Sequence, residues 1–102
     1  MNWVLWVHAG VDADLDEAFA HYLEVDPALA TRFGMEVDAA LGFIESFPEL
    51  GRFLFEDYRR VVLRRFPYLI VYCVSGEDVR VLRISHARRE PAAIQGEITG
   101  RR

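Results

Sequence analysis

The run Arg80-Val81-Leu82-Arg83-Ile84-Ser85-His86-Ala87-Arg88-Arg89-Glu90-Pro91 sets an imidazole and two adjacent guanidinium groups at the end of an alternating, strand-like segment. Cleaving RNA needs a base for a 2′-hydroxyl and a cation for the charge on the phosphorane. Arg89 would supply the cation, and His86 is a weak substitute for the base. Arg59, Arg60, Arg64 and Arg65 stand on an earlier alternating segment. Arg60, Arg64, Arg65, Arg83, Arg88 and Arg89 together read as a basic rim for a target bearing phosphates or carboxylates, groups that a guanidinium fork matches in geometry. The competing reading spends the same arginines on ion pairs with acids such as Glu24 or Asp26, since most exposed arginines are solvated or paired.

Other reactive residues form no recognisable constellation. His8, His21 and His86 lack metal-ligand spacing, so no metal and no cofactor is expected. A single cysteine, Cys73, excludes an internal disulfide and a cysteine-built zinc site. It lies in the most apolar stretch and reads as a core thiol. His21 reads as a solvated helix residue. No GxSxG elbow, phosphate-binding P-loop or dinucleotide glycine fingerprint is present.

The positioning elements follow from periodicity. Residues 3–8 are densely apolar and suit a buried strand. Gly10 breaks it, and Asp12 or Asp14 is placed to cap a helix whose apolar stripe is Leu15, Ala18, Phe19, Tyr22 and Leu23. Asp26-Pro27 starts a second helix, with an N-cap acid followed by proline at the first helical position. Its stripe runs Leu29, Phe33, Val37, Ala40, Leu41, Ile44, Phe47, and Pro48 stops it. Gly34 and Gly42 would let the two helices of this hairpin approach closely.

From Phe53 the period changes to two. Strands are expected at Phe53–Phe55, Tyr58–Phe66, Tyr68–Val74 and Val79–His86, with a hairpin turn at Ser75-Gly76-Glu77-Asp78. The order reads as α+β, β-α-α-β-β-β with one further short strand, with the helical hairpin on one face of a mostly antiparallel sheet. Residues 69–74 are apolar on both faces. The helices cover one face, so the other needs the tail, a partner or a second copy of the chain, and Leu69, Val71 and Cys73 read as a partner groove.

The chain has 102 residues, enough for one domain, taken as residues 1–91 with a tail at 92–102 that reads as mobile or as one weak helical turn. Hydrophobic residues make up 52%, which excludes a disordered chain. No apolar run reaches the ~20 residues of a membrane helix, and Trp3–Val7 lacks the basic flank of a leader, so a cytoplasmic protein without membrane contact is expected. Charge is unevenly spread. Residues 1–51 carry ten acids against one base, Arg32, while residues 52–102 carry eleven arginines against six acids. The net charge of −4 argues against sequence-blind nucleic-acid binding.

Read together, several short motifs are similar to those of the RelE/ParE superfamily of type II toxin–antitoxin toxins, the plasmid stabilisation proteins. They are Ala13-Asp-Leu-Asp-Glu17, Asp26-Pro27-Ala28, Phe47-Pro48-Glu49-Leu50-Gly51-Arg52, Tyr58-Arg59-Arg60, Arg65-Phe66-Pro67-Tyr68 with Ile70 and Tyr72, and His86-Ala87-Arg88-Arg89. The resemblance covers about residues 9–91. It implies a RelE-like fold with the first strand beside the last, and a cognate antitoxin whose segment wraps the toxin by helix-in-groove packing or strand addition. One branch cleaves mRNA on the ribosome without a metal. It uses an arginine after the third-strand aromatic and a C-terminal tyrosine. Here Leu69 follows Tyr68, and no tyrosine follows Arg89. The ParE-like branch, which inhibits DNA gyrase and is not an enzyme of this kind, therefore fits better. A ribosome-dependent endoribonuclease and a decayed, self-associating homodimer are the alternatives.

Overall fold

The computed structural model describes residues 3–88, 91–98, 100 and 101. The chain begins with strand β1 (Val4–Val7) and turns directly into α1 (Gly10–Val25). Neither Asp12 nor Asp14 caps this helix, contrary to the expectation from sequence. The helix starts earlier, because His8 Nδ1 accepts the Gly10 N–H at 2.9 Å and satisfies one of the free first-turn donors. Asp12 lies in the first turn, where the helix dipole favours its charge. Asp14, a turn into the helix, is free for another role.

A single residue, Asp26, links α1 to α2 (Pro27–Ser46). Its carboxylate accepts the Ala28 N–H at 3.0 Å, while its own N–H closes α1 on Tyr22 O, so one residue serves both helix ends. So short a link forces an antiparallel hairpin. The expected role of Gly34 and Gly42 in close helix packing is not seen: a Cβ on either would meet nothing within 4 Å. Both glycines face away from the helix–helix contact.

Four further strands follow, β2 (Arg52–Phe55), β3 (Tyr58–Val62), β4 (Tyr68–Ser75) and β5 (Asp78–His86), giving a five-stranded sheet of order β1-β5-β4-β3-β2. The β1–β5 pair is parallel and the rest are antiparallel. This is the α+β architecture expected, with the first strand beside the last. β3 is shorter than the alternation suggested. The Leu63 N–H bonds to Tyr68 O, and the chain turns through residues 64–67 with Tyr68 N–H on Phe66 O. Ser75 pairs with Asp78 across a two-residue turn whose Gly76 has φ +61°, as a tight hairpin requires.

The main core lies between the helical hairpin and the sheet, around Phe33, Val37, Ile44, Ile70, Tyr72, Val79 and Val81. At one end Tyr22, Phe33, Phe66 and Tyr68 cluster with centroids 4.9–6.1 Å apart, every contact edge to face except the tilted Tyr22–Phe33 pair, a geometry that aromatic quadrupoles favour.

The opposite face carries the main departure from expectation. Residues 92–102 read as a mobile tail or weak turn, yet Pro91–Ile98 form a helix, α3, with Ile94 and Ile98 buried. Burying each isoleucine stabilises by about 1.5–3 kcal/mol, which explains how a weak helical sequence is held. Both pack on Leu69, Val71, Cys73 and Leu82, so the three residues expected to form a partner groove are already covered by the chain's own helix.

Candidate functional site

Two separate places accommodate the residues that sequence grouped into one rim. Arg83 belongs to neither as a free cation. Its Nη1 lies 3.0 Å from Asp14 Oδ1, and its Nε lies against Glu97 Oε2. Asp14 Oδ2 also takes Arg101 Nη1 at 2.9 Å and the Ile84 N–H at 3.2 Å, and Arg101 reaches Leu82 O at 2.9 Å. β1 pairs with β5 only over Asp78–Val81, so residues 82–84 form an open edge. The Asp14 carboxylate and the Arg101 guanidinium cap that edge, and Glu97 ties α3 to it. Arginines are indeed paired with the acidic half, although with Asp14 and not with Glu24 or Asp26.

At the end of β5, His86 Nδ1 accepts the Arg88 N–H at 3.1 Å, and its ring lies 5.3 Å from that of Tyr68. Burial raises the Tyr68 hydroxyl pKa above its ordinary value, and the charge of Glu17 raises it further. Asp14, Glu17, Tyr68, Arg83, Ser85 and His86 enclose a small hollow of about 100 Å³. Two carboxylates in its wall repel a phosphodiester, and its arginine is already bound. Arg88 is exposed beside it, and Ala87 N–H bonds to Pro67 O at 2.7 Å, which brings this strand end against the 64–67 turn that carries Arg64 and Arg65. Arg89 lies outside the described residues.

The open surface lies elsewhere, along the outer side of α2. Three adjoining hollows share walls and run together as one trench between α2 and β3. Its central part, about 310 Å³, has Ala39, Ala40 and Phe43 on the helix side and Val61, Val62 and Leu63 on the sheet side. Arg32, Arg64 and Arg65 stand at one end, with Arg52 and Arg60 at the other. Arg64 and Arg65 thus share one end, and Arg60 stands at the other. Their setting is a largely apolar trench that also contains Glu36, whose carboxylate accepts the Arg65 N–H at 2.8 Å.

Large apolar side chains stay open at the Arg52 end. Phe43 is 40% exposed, Phe53 58% and Leu50 66%, with Phe47 beside Phe43 at a centroid distance of 5.7 Å. Aromatic groups next to arginine are the composition that binding hot spots favour. The loop behind them is rigidly held. The buried Tyr72 hydroxyl donates to Pro48 O at 2.7 Å and accepts the Gly51 N–H at 3.1 Å, while Arg59 donates to Glu49 O and Gly51 O and stacks 4.1 Å over Phe53. This arrangement presents a preformed apolar slot with cationic ends, suited to an acidic, apolar-bearing polypeptide. Sequence reasoning recovered its arginines and missed the slot. The signal available was Phe43, an aromatic outside the apolar stripe of α2, with Phe47 one turn further on.

Among the described residues, no cluster of histidine, cysteine and acidic groups is placed to hold a metal, and no helix is long and apolar enough to cross a membrane.

Residues 7–91 match the family model described as the ParE toxin of the type II toxin–antitoxin system parDE. Toxin ParE2 of Mycobacterium tuberculosis is 37% identical over 98 residues, covering 95% of this chain and 93% of that protein. Toxin RelE2 of Caulobacter vibrioides is 30% identical over 89 residues, covering 87% and 99%. The fold matches a solved chain from the chromosomal ParDE toxin–antitoxin system of P. aeruginosa with a TM-score of 0.75 at 22% identity, covering 85% of this chain and 98% of that one.

Proposed function

This chain belongs to the ParE toxin family of type II toxin–antitoxin systems, and from that premise we propose that it arrests growth by inhibiting DNA gyrase and is silenced by a cognate antitoxin seated in the α2–β3 trench. The observation that carries the reading is the trench itself. It offers exposed aromatic groups and cationic ends on a preformed surface, the features of a protein-binding site. Chemistry on RNA is poorly served by comparison. His86 Nδ1 is engaged by backbone, Arg83 is spent on Asp14, and the hollow beside them is lined by carboxylates. Inhibition by binding needs neither base nor cation.

The test is a supercoiling assay with purified gyrase. The chain should block supercoiling in proportion to its concentration, and the protein encoded by the adjacent small reading frame should restore it. Unimpaired supercoiling, together with mRNA cuts at the ribosomal A site in a translating extract, would transfer the chain to the ribosome-dependent reading.

A further inference from the structure

β1 is an outer strand of the sheet, with β5 on one side and no strand on the other among the described residues. Its backbone is ready for a neighbour. Val4 N–H bonds Glu77 O and His8 N–H bonds Val81 O, both toward β5. Backbone groups along a strand point alternately to its two sides, so the N–H and C=O of Leu5 and Val7 face outward. The adjoining stretch of β5 is sealed by the Asp14 carboxylate and the Arg101 guanidinium. β1 has no such protection: neither charge, proline nor bulge interrupts Trp3–Val7. Val4, Trp6 and Val7 are 45%, 53% and 47% exposed. Trp6 is nonetheless held in place, its Nε1 donating to Asp78 Oδ1 at 3.2 Å.

We infer that β1 is a self-association edge, pairing antiparallel with β1 of a second copy about a two-fold axis at Leu5. Charge selects this occupant. The chain carries a net charge of −4, so two copies repel across much of their surface, and the uncharged stretch Trp3–Val7 lets them meet without like charges in contact. Side-chain alternation selects the register. Trp3 and Leu5 pack toward the helix-side core, so Val7 shares their face, and Val4 and Trp6 lie on the other. Centred on Leu5, the pairing sets Leu5 against the second copy's Leu5, Val4 against its Trp6 and Val7 against its Trp3. Each exposed side chain of β1 then meets an apolar partner, and aromatic–β-branched pairs are among the favourable cross-strand contacts. A register centred on Trp6 would instead set Val4 against His8. The same surface serves both copies, so the assembly closes as a dimer of two joined sheets. The trench lies between α2 and β3, toward the opposite edge of the sheet, so the dimer presents two open trenches. Pairing through β1 depends on neither the gyrase reading nor the antitoxin reading.

Sedimentation velocity on the purified full chain provides the test. The paired stretch is short, so dimer should accumulate as the chain is concentrated through about 10–100 μM, the range of a small transient contact. The Leu5 and Val7 amides should exchange more slowly in the dimer than in the dilute chain. Val7→Lys places a charge on the edge and should raise the concentration needed for dimer at least about tenfold, with the thermal midpoint of the dilute chain unchanged. Val4→Lys repeats the test from the other face of the strand and decides if Val7→Lys does not fold. Chains carrying Val4→Cys mixed with chains carrying Trp6→Cys should form a disulfide on mild oxidation faster than either alone, because the native Cys73 is buried and does not compete. A chain that stays monomeric to about 500 μM overturns the proposal. So does a dimer that survives both lysine substitutions or leaves the Leu5 and Val7 amides unprotected, since it uses another surface. Crosslinking of Trp6→Cys alone as fast as the mixture overturns the pairing centred on Leu5.

Discussion

Asp14 and Arg83 lie 69 positions apart in sequence and meet at 3.0 Å, with the Asp14 carboxylate side chain only 8% exposed. The contact joins α1 to β5 at the stretch where β1 has ended and that side of β5 is open. The same carboxylate takes the Ile84 N–H and the Arg101 guanidinium, so one side chain seals the edge and ties the end of the chain to the body.

Asp14→Ala should therefore destabilise the fold well beyond an ordinary surface substitution. Removing one partner of a buried ion pair leaves the other charge uncompensated, a cost of about 3–5 kcal/mol when burial is complete. Arg83 and Arg101 keep partial access to water, so a loss of about 2–3 kcal/mol is expected. Urea titration measures it. Exchange of the α3 amides should rise in the variant, and a change under about 0.5 kcal/mol, the range of an isolated surface substitution, would show the network to be ornamental.

That network also marks where sequence reading stops. Helix and strand identities followed from local patterns, the Asp26-Pro27 start and the Gly76 turn among them, because capping and turn chemistry act within a few residues. Asp14 carried a local reading as well, that of a cap, and His8 took the role at shorter range. Its true partners are distant in sequence and have no periodic signature. α3 was missed for a related reason. Its helical tendency is weak, and only the apolar surface of Leu69, Val71 and Cys73 makes the helix worth forming. The trench arginines were visible as a cluster, but the slot between them depends on β2 ending before β3, which side-chain types do not announce.

Three glycines should respond in opposite senses to the same substitution. A Cβ at Gly51 would fall 2.1 Å from the Tyr72 hydroxyl oxygen, inside the core and against a side chain held by two hydrogen bonds. Gly51→Ala should cost about 2–3 kcal/mol, in the range of overpacking. Tyr72→Phe, which strands the Gly51 N–H, should cost about 1–3 kcal/mol, and the double variant should lose less than the sum. Gly34→Ala and Gly42→Ala meet open space within α2 and should each stabilise by about 0.5–1 kcal/mol. Thermal midpoints of the five variants provide the comparison.

Alkaline pH should unfold the protein more steeply than its charge alone predicts. Burial raises the pKa of Tyr22, Tyr68 and Tyr72 above the ordinary value of 10.0, with Tyr68 adding to the shift at Tyr22 and Glu17 at Tyr68, while Gly51 and Arg59 oppose it at Tyr72. The folded chain then holds these protons more tightly than the unfolded chain. Their stabilising effect is complete below pH 10 and is lost as pH rises from there through the raised folded values. Tyr68→Phe should flatten the decline in unfolding free energy measured between pH 9 and about 11. An unchanged slope would mean that burial does not bias this hydroxyl.

The trench should be separable from the fold by mutation. Phe43 is 40% exposed on α2, and Arg60 on β3 and Arg64 in the turn after it line the trench, where no acidic side chain pairs with them at ion-pair distance among the described residues. Phe43→Ala removes an anchor with little core loss, so stability should fall by under about 1 kcal/mol while affinity for the antitoxin drops by about 2 kcal/mol, the size of an interface hot spot. Arg60→Glu and Arg64→Glu should weaken the same complex mainly through slower association, and the loss should shrink as salt screens the charges. Arg80→Glu, on the β5 strand and paired with Asp78, should leave association unchanged. Surface plasmon resonance at two salt concentrations distinguishes these outcomes. Equal effects of Arg64→Glu and Arg80→Glu on the association rate would mean that overall charge, and not the trench, guides the partner.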